Sequence, residues 1–336
     1  MTNLKENIAE NTIIKKRSRA YFWFKILDEY LVWILIVVIL IVMSLAMKSF
    51  LRPINLMYIL INSTPIGIMA IAASLVFIIG KFDLSIESTL GFCAMIGGLI
   101  VTKTGINPFL AIIILLAVGA AIGFFNGICI VKLGVNPFLQ TLSMLILLRG
   151  LMLFITSGVT ITKLPQSYRI FGNSKLFGIP AQIFVLLVFF FMFSILLERT
   201  VFGKRLYAIG ANPELAFISG IKTDRLNILV FILSGTLAAF SGLVLSTKQG
   251  AVDANLGKGL LFTVFASAVL GGVSLFGGKG RVIGALGGVL FLTTIGSLLS
   301  WIEVSAFGID SITGGIILLA VILDATKNKL RERIII

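Results

Sequence analysis

The chain has 336 residues, 58% of them hydrophobic and only 12% charged, more apolar surface than a soluble core of this size could hide, so most of it faces lipid. Histidine is absent, which removes the commonest metal ligand and the commonest general base and argues against hydrolytic or metal chemistry. The formal charge of +14 comes from Lys and Arg placed beside apolar runs rather than interleaved with aromatics, a pattern of membrane topology and not of nucleic-acid binding.

A polar, basic tail over residues 1–30 runs straight into a long apolar segment without a small-residue cleavage site, so it is expected to stay as a cytoplasmic tail. Apolar stretches punctuated by charge, Pro or Gly then predict about ten transmembrane helices, near 31–50, 56–79, 86–102, 109–131, 137–157, 179–198, 226–247, 260–277, 282–300 and 308–324. Together they make an all-α, polytopic integral membrane protein with a single transmembrane domain at 31–325 and a short tail at 326–336. An even number of spans puts both ends on one side. Nineteen of the 28 basic residues fall in the tails and the connections on that side, eight on the other and Arg149 within a span, so the positive-inside rule makes both termini cytoplasmic.

Within this frame, Asp83 lies near the inner end of the second span, as a cap ahead of Ser85 or as a polar group on a pathway. Cys93 and Cys129 sit in apolar runs and read as small packing residues. Gly119, Gly123 and Gly127, and again Gly280, Gly284 and Gly288, recur at every fourth position, the spacing that lets helix backbones approach in lipid. Packing within the chain is the expected use, a dimer seam the rarer one. Arg149, in the outer half of the fifth span, is read as an anchor or as a substrate contact. The segments 72–100 and 266–294 echo each other, each an apolar run, a Gly-Lys hinge (Gly80-Lys81, Gly278-Lys279) and a helix rich in small residues.

The longest polar connection, at 199–225, carries its own helix start: Asn212 as N-cap, Pro213 at the first helical position and Glu214 in the first turn. A helix of about two turns through Ser219, ended by Gly220, is predicted. Spacing alone leaves two uses open, a docking helix for a soluble motor or a connector resting on headgroups.

YAIGANPELAFISGI (207–221), AVLGGVSLFGGKGRVIGALGGVLFL (268–292), NGICIVKLGVNPFLQTLSMLILLRGLMLFITSG (126–158) and GKFDLSIES (80–88) resemble, in order, the permease subunits of bacterial ABC importers for ribose, xylose, galactose and related sugars. Lys81 and Glu87 stand where that family usually has Gly. The resemblance implies a protein of the bacterial cytoplasmic membrane that works with a separate ATP-binding subunit, an extracytoplasmic sugar-binding protein and a second copy or a homologous permease, without a cofactor of its own. It places a coupling segment at Gly210, Ala211, Asn212, Pro213, Glu214, Ala216, Ser219 and Gly220. Asp83, Ser85, Asn126, Asn136, Thr141 and Arg149 are the candidates for polar positions on the pathway or in the frame around it. A secondary carrier is the main alternative, but its usual mid-span acids are missing: Asp83, Glu87, Glu303 and Asp310 all lie near predicted span ends. Gly277-Gly278-Lys279-Gly280 lacks the upstream glycine and the hydroxyl residue of a phosphate-binding loop, so ATP binding would belong to another chain.

Overall fold

The computed structural model describes residues 30–45, 50–305, 307–309, 311–319, 322 and 326; the tails predicted at 1–30 and 326–336 lie, but for one residue each, outside them. In chain order the helices are α1 (Tyr30–Leu45), α2 (Pro53–Ile78), α3 (Ile86–Lys103), α4 (Pro108–Val131), α5 (Pro137–Thr156), α6 (Ile170–Asn173), α7 (Ala181–Arg199), α8 (Val201–Ala211), α9 (Pro213–Ile218), α10 (Thr223–Gln249), α11 (Leu260–Leu270) and α12 (Val282–Trp301), followed by helical residues at 307–309 and 311–319. Seven of them, α2, α3, α4, α5, α7, α10 and α12, are long and apolar enough to cross a membrane. The all-α class holds apart from a hairpin between α6 and α7, where Lys175–Leu176 pairs with Ile179–Pro180 around Phe177 and Gly178. Both turn residues have positive φ, 51° and 81°, as a two-residue hairpin of this twist requires.

Asn-Pro pairs set several boundaries. The side chains of Asn107 and Asn136 accept the backbone N–H of Phe109 and Phe138 at 2.9 Å each, with Pro at the first helical position of α4 and α5. α2 runs through the middle of the bundle, with an unbroken buried stretch from Gly67 to Ile78. α10 packs against α2, α3 and α4.

The predicted close packing is found within the chain. A Cβ added at Gly119 would lie 2.5 Å from the Gly235 oxygen, and one at Gly123 would lie 2.1 Å from the Phe231 oxygen. α4 and α10 therefore touch backbone to backbone. The second glycine series does the same for α12 and α11, since a Cβ at Gly284 or Gly288 would fall 2.0 Å from the oxygen of Gly271 or Ser267. Cys93 and Cys129 are buried and unpaired, as small packing residues.

The span predicted at 260–277 departs from expectation. α11 is an 11-residue half-helix ending at Leu270, and it follows a non-helical stretch, 250–259, that lies along α3. A Cβ at Gly98 would meet Val252, one at Gly91 would meet Leu256, and one at Gly257 would meet Leu90, so this stretch runs antiparallel to α3. Val252 and Ile161 exchange backbone hydrogen bonds at 2.9 Å. Hydropathy registers 260–277 as one span and α11 starts where predicted, but Gly271 caps the helix and Gly272 and Gly277 hold φ of 83° and 90°, which turns the chain out of the helix after Leu270. Irregular backbone of this kind is tolerated in a membrane protein where it is buried in protein.

Candidate functional site

The polar connection folds as α8 and α9 at one end of the bundle. The Asn212 side chain caps α9 by accepting the Leu215 N–H at 3.0 Å. The helix closes at Gly220, whose φ is +80°, while Ile221 N–H donates to the Ala216 oxygen at 3.1 Å, the geometry of a Schellman stop. α9 ends at Ile218, one residue before the predicted Ser219, whose hydroxyl donates back to the Leu215 oxygen at 2.7 Å. Ala216 alone is buried on α9; Glu214, Leu215, Phe217 and Ile218 face outward, the last two 70% and 78% exposed.

Behind α9, α8 rests on both glycine hinges. A Cβ at Gly210 would sit 1.8 Å from the Ile78 oxygen and 2.5 Å from the Gly278 nitrogen. The hinges touch each other as well, because Gly278 N–H donates to the Ile78 oxygen at 2.9 Å. The echo between 72–100 and 266–294 therefore corresponds to two helix–hinge–helix units, α2–α3 and α11–α12, that meet at their hinges beneath α8. Ala211 abuts Gly278. The Tyr207 hydroxyl donates to the Gly280 oxygen at 2.7 Å; burial, then the nearby Glu198 carboxylate, push its pKa up to about 12 against the opposing pull of Arg281, so the phenol keeps its proton.

Asp83, Ser85 and Asn126 come together as a buried chain of hydrogen bonds. Asp83 accepts from Ser85 N–H at 3.0 Å, from the Ser85 hydroxyl, and from the Ser234 hydroxyl of α10 at 2.7 Å. The Asn126 amide donates to Ser85 Oγ at 3.0 Å and its oxygen accepts from Gln140 at 3.2 Å. Asp83 accepts the Ser85 N–H and hydroxyl just ahead of α3, a local cap-like turn, and through Ser234 it also fastens this turn to α10. Asn136 and Thr141 stand apart from this chain. Asn136 caps α5, and the buried Thr141 hydroxyl donates to the Pro137 oxygen one turn back at 2.8 Å.

Arg149 pairs inside the protein. Its guanidinium donates to Glu87 Oε1 at 2.8 Å and to the Ala254 oxygen at 3.4 Å. Glu87 Oε2 accepts the backbone N–H of Gly259 and Leu261 at 3.0 and 3.1 Å. The carboxylate thus closes the N-terminus of the half-helix α11, where the helix dipole favours negative charge. Of the substitutions at family glycines, the one at Glu87 has a defined use in this chain.

Sequence reasoning missed Glu87 as a site residue, along with Ser234 and Gln140. Glu87 stood out only as a charge at a usual family glycine, with nothing local to tie it to Arg149 two spans later. A lone Ser and a lone Gln in apolar helices gave no hint.

A family model described as branched-chain amino acid transport system, permease component, matches residues 55–323. The ribose import permease protein RbsC of Bacillus subtilis is 36% identical over 294 residues, 87% of this chain and 91% of the relative. The L-arabinose ABC transporter permease protein AraH of Azospirillum brasilense is 32% identical over 320 residues, 95% and 94% of the two chains. The autoinducer 2 import system permease protein LsrC of Escherichia coli O9:H4 is 33% identical over 266 residues, covering 79% and 78%. No solved structure matches the chain.

Proposed function

The chain belongs to the family of branched-chain amino acid transport system permease components, a multi-pass protein of the cell membrane, and we propose that it is the permease subunit of an ATP-driven importer of a monosaccharide, ribose or a related sugar. In this reading it forms the translocation pathway with a second copy or a homologous permease. A separate ATP-binding subunit sits on the cytoplasmic side, which is also the side of both termini, and a sugar-binding protein delivers the ligand from outside. The relatives named for ribose, L-arabinose and autoinducer 2 import support the sugar-like substrate class.

The observation that carries the coupling role is α9: a six-residue helix with outward-facing Leu215, Phe217 and Ile218, on a segment whose inner side, Gly210, lies against both hinges. Apolar side chains on a polar end of the bundle suit a groove in a soluble partner. Residues 210–220 would receive the displacement of the ATP-binding subunits, and α8 would pass it to the hinges at 78–80 and 276–280, tilting the helices that follow. The chain needs no cofactor for this.

The test is uptake of labelled pentoses and hexoses into vesicles holding this chain with its ATP-binding and sugar-binding partners, comparing wild type with Glu214→Arg and Gly220→Leu. ATP-dependent uptake that disappears in both variants while membrane insertion is intact supports the reading. Uptake independent of ATP and indifferent to both changes points to a secondary carrier and overturns it.

A further inference from the structure

Far from the α8–α9 segment the bundle holds a cavity of about 560 Å³ between α2, α11, α12 and the helical residues after 307, within the roughly 300–1,000 Å³ of small-molecule sites. It opens beside the first half of α2, whereas α8 meets α2 at Ile78. From Ile66 on the cavity wall to Ile78 the helix rises about 18 Å at ~1.5 Å per residue.

We infer that this chamber is a station for the transported molecule and takes a neutral, polyhydroxylated ligand of monosaccharide size; the inference rests on the importer reading above. Among the described residues, its lining contains no carboxylate, so a cation would be desolvated there without a counter-charge, and the one ammonium beside it, Lys248, is held by Asn62. What the lining does contain is Asn62 of α2, Thr263 of α11 and Ser297 of α12, amide and hydroxyl groups set in otherwise apolar helices, with the rings of Tyr58 and Trp301 beside them. The Asn62 oxygen is taken by the Lys248 ammonium at the rim. That leaves its NH₂ group to donate to a ligand, while the hydroxyls of Thr263 and Ser297 can donate or accept. Aromatic faces cover the C–H surface of a sugar and polar groups its hydroxyls, the mixture a small-molecule site needs to fix orientation.

The chamber is also tied to the segment that would receive force. Thr263 lies in the first turn of α11, whose N-terminus is held by Glu87. The other end of α11 runs into Gly271 and the loop carrying Gly278 and Gly280, which Ala211 and Tyr207 touch. One half-helix of 11 residues therefore joins the chamber wall to α8. A station for cargo belongs where such a displacement changes the shape of its wall.

Gly296 offers a test that spares the fold. It lies on the cavity wall within α12, and a Cβ added there would meet no atom within 4 Å. Gly296→Leu fills empty space and raises helix propensity. In proteoliposomes carrying the full complex, its uptake of D-ribose and L-arabinose should fall by about tenfold or more, a ΔΔG of at least ~1.4 kcal/mol. ATP hydrolysis stimulated by the binding protein should persist and the unfolding temperature should not drop. Ser297→Cys should react with a membrane-impermeant maleimide over the baseline set by the buried Cys93 and Cys129, and saturating sugar during turnover should slow that reaction. Wild-type uptake by Gly296→Leu overturns the inference. So does a Cys at 297 that resists the reagent in the membrane, because lipid or a second copy of the chain then fills the chamber. If the wild-type complex shows no ATP-dependent uptake, the importer reading fails instead, and protection of Ser297→Cys by sugar still decides what the chamber holds.

Discussion

Glu87 and Arg149 are separated by 62 positions in the chain and by 2.8 Å in space. Both are largely buried, so each charge depends on the other for the solvation it has lost. Arg149→Met leaves a buried carboxylate with only the Gly259 and Leu261 N–H groups and should cost about 3 kcal/mol, and Glu87→Gln, which keeps an oxygen for those donors but turns an NH₂ toward a buried guanidinium without a counter-charge, should cost about as much. Unfolding of both single variants and of the double variant in detergent decides it. Costs that simply add would mean that the pair does not act as a unit.

Gly210 permits the closest approach of α8 to the hinges. Gly210→Ala puts a methyl group into the Ile78 carbonyl and should force α8 off both hinges at a cost of ~1–3 kcal/mol. ATP hydrolysis by the complex should continue while sugar uptake falls several-fold. Gly150→Ala, in open space on α5, serves as the control and should stay within about 0.5 kcal/mol of wild type. Equal uptake by the two variants would rule out a tight α8–hinge contact as the route of coupling.

α9 is held by its two ends. Asn212→Ala removes the cap and should destabilise the helix by ~1 kcal/mol, whereas Asn212→Asp should preserve it. Gly220→Ala places a side chain at φ +80°, at a cost of ~1–2 kcal/mol. Amide exchange over 212–221 should rise in the first and third variants and not in the second; uniform exchange in all three would show that the caps do not control this helix.

Tyr207 has its pKa raised from 10.0 to about 12, so above pH 10 the unfolded chain loses the phenolic proton before the folded one does. The sign follows: stability tied to this group is complete below pH 10 and lost as pH rises toward 12. Tyr207→Phe should remove that component of the alkaline loss, read as the difference between the two pH–stability curves. It should also weaken the protein at neutral pH, because the Gly280 carbonyl loses its partner. Superimposable curves would show that Tyr207 stays exposed to water.

Local chemistry was the legible part. Asn212, Pro213 and Gly220 announce α9 because caps and stops act within one turn, and the four-residue glycine spacing announces close helix packing because contact along a helix has that period. Pairings across the chain were not legible. Nothing in the surroundings of Arg149 points to an acid two spans earlier, and Asn62, Thr263 and Ser297 converge on one cavity only after three helices have packed. The broken span was hidden by composition: apolar residues with interspersed glycine give the same hydropathy whether they coil or turn, and the positive φ of Gly272 and Gly277 separates the two.

The seam between α4 and α10 sets the kinematics of the bundle. Glycines meet carbonyls at successive turns, so a slide of one residue along either axis would drive side chains into backbone, and the joint has no sliding freedom. α4 and α10 must move as one body, carrying Asn126, Ser85 and Asp83 with them. Any rocking of the bundle is then taken up where the backbone turns on glycine, at Gly80 and in the loop 271–281, and the shape change of a transport cycle reduces to a few torsions beneath α8.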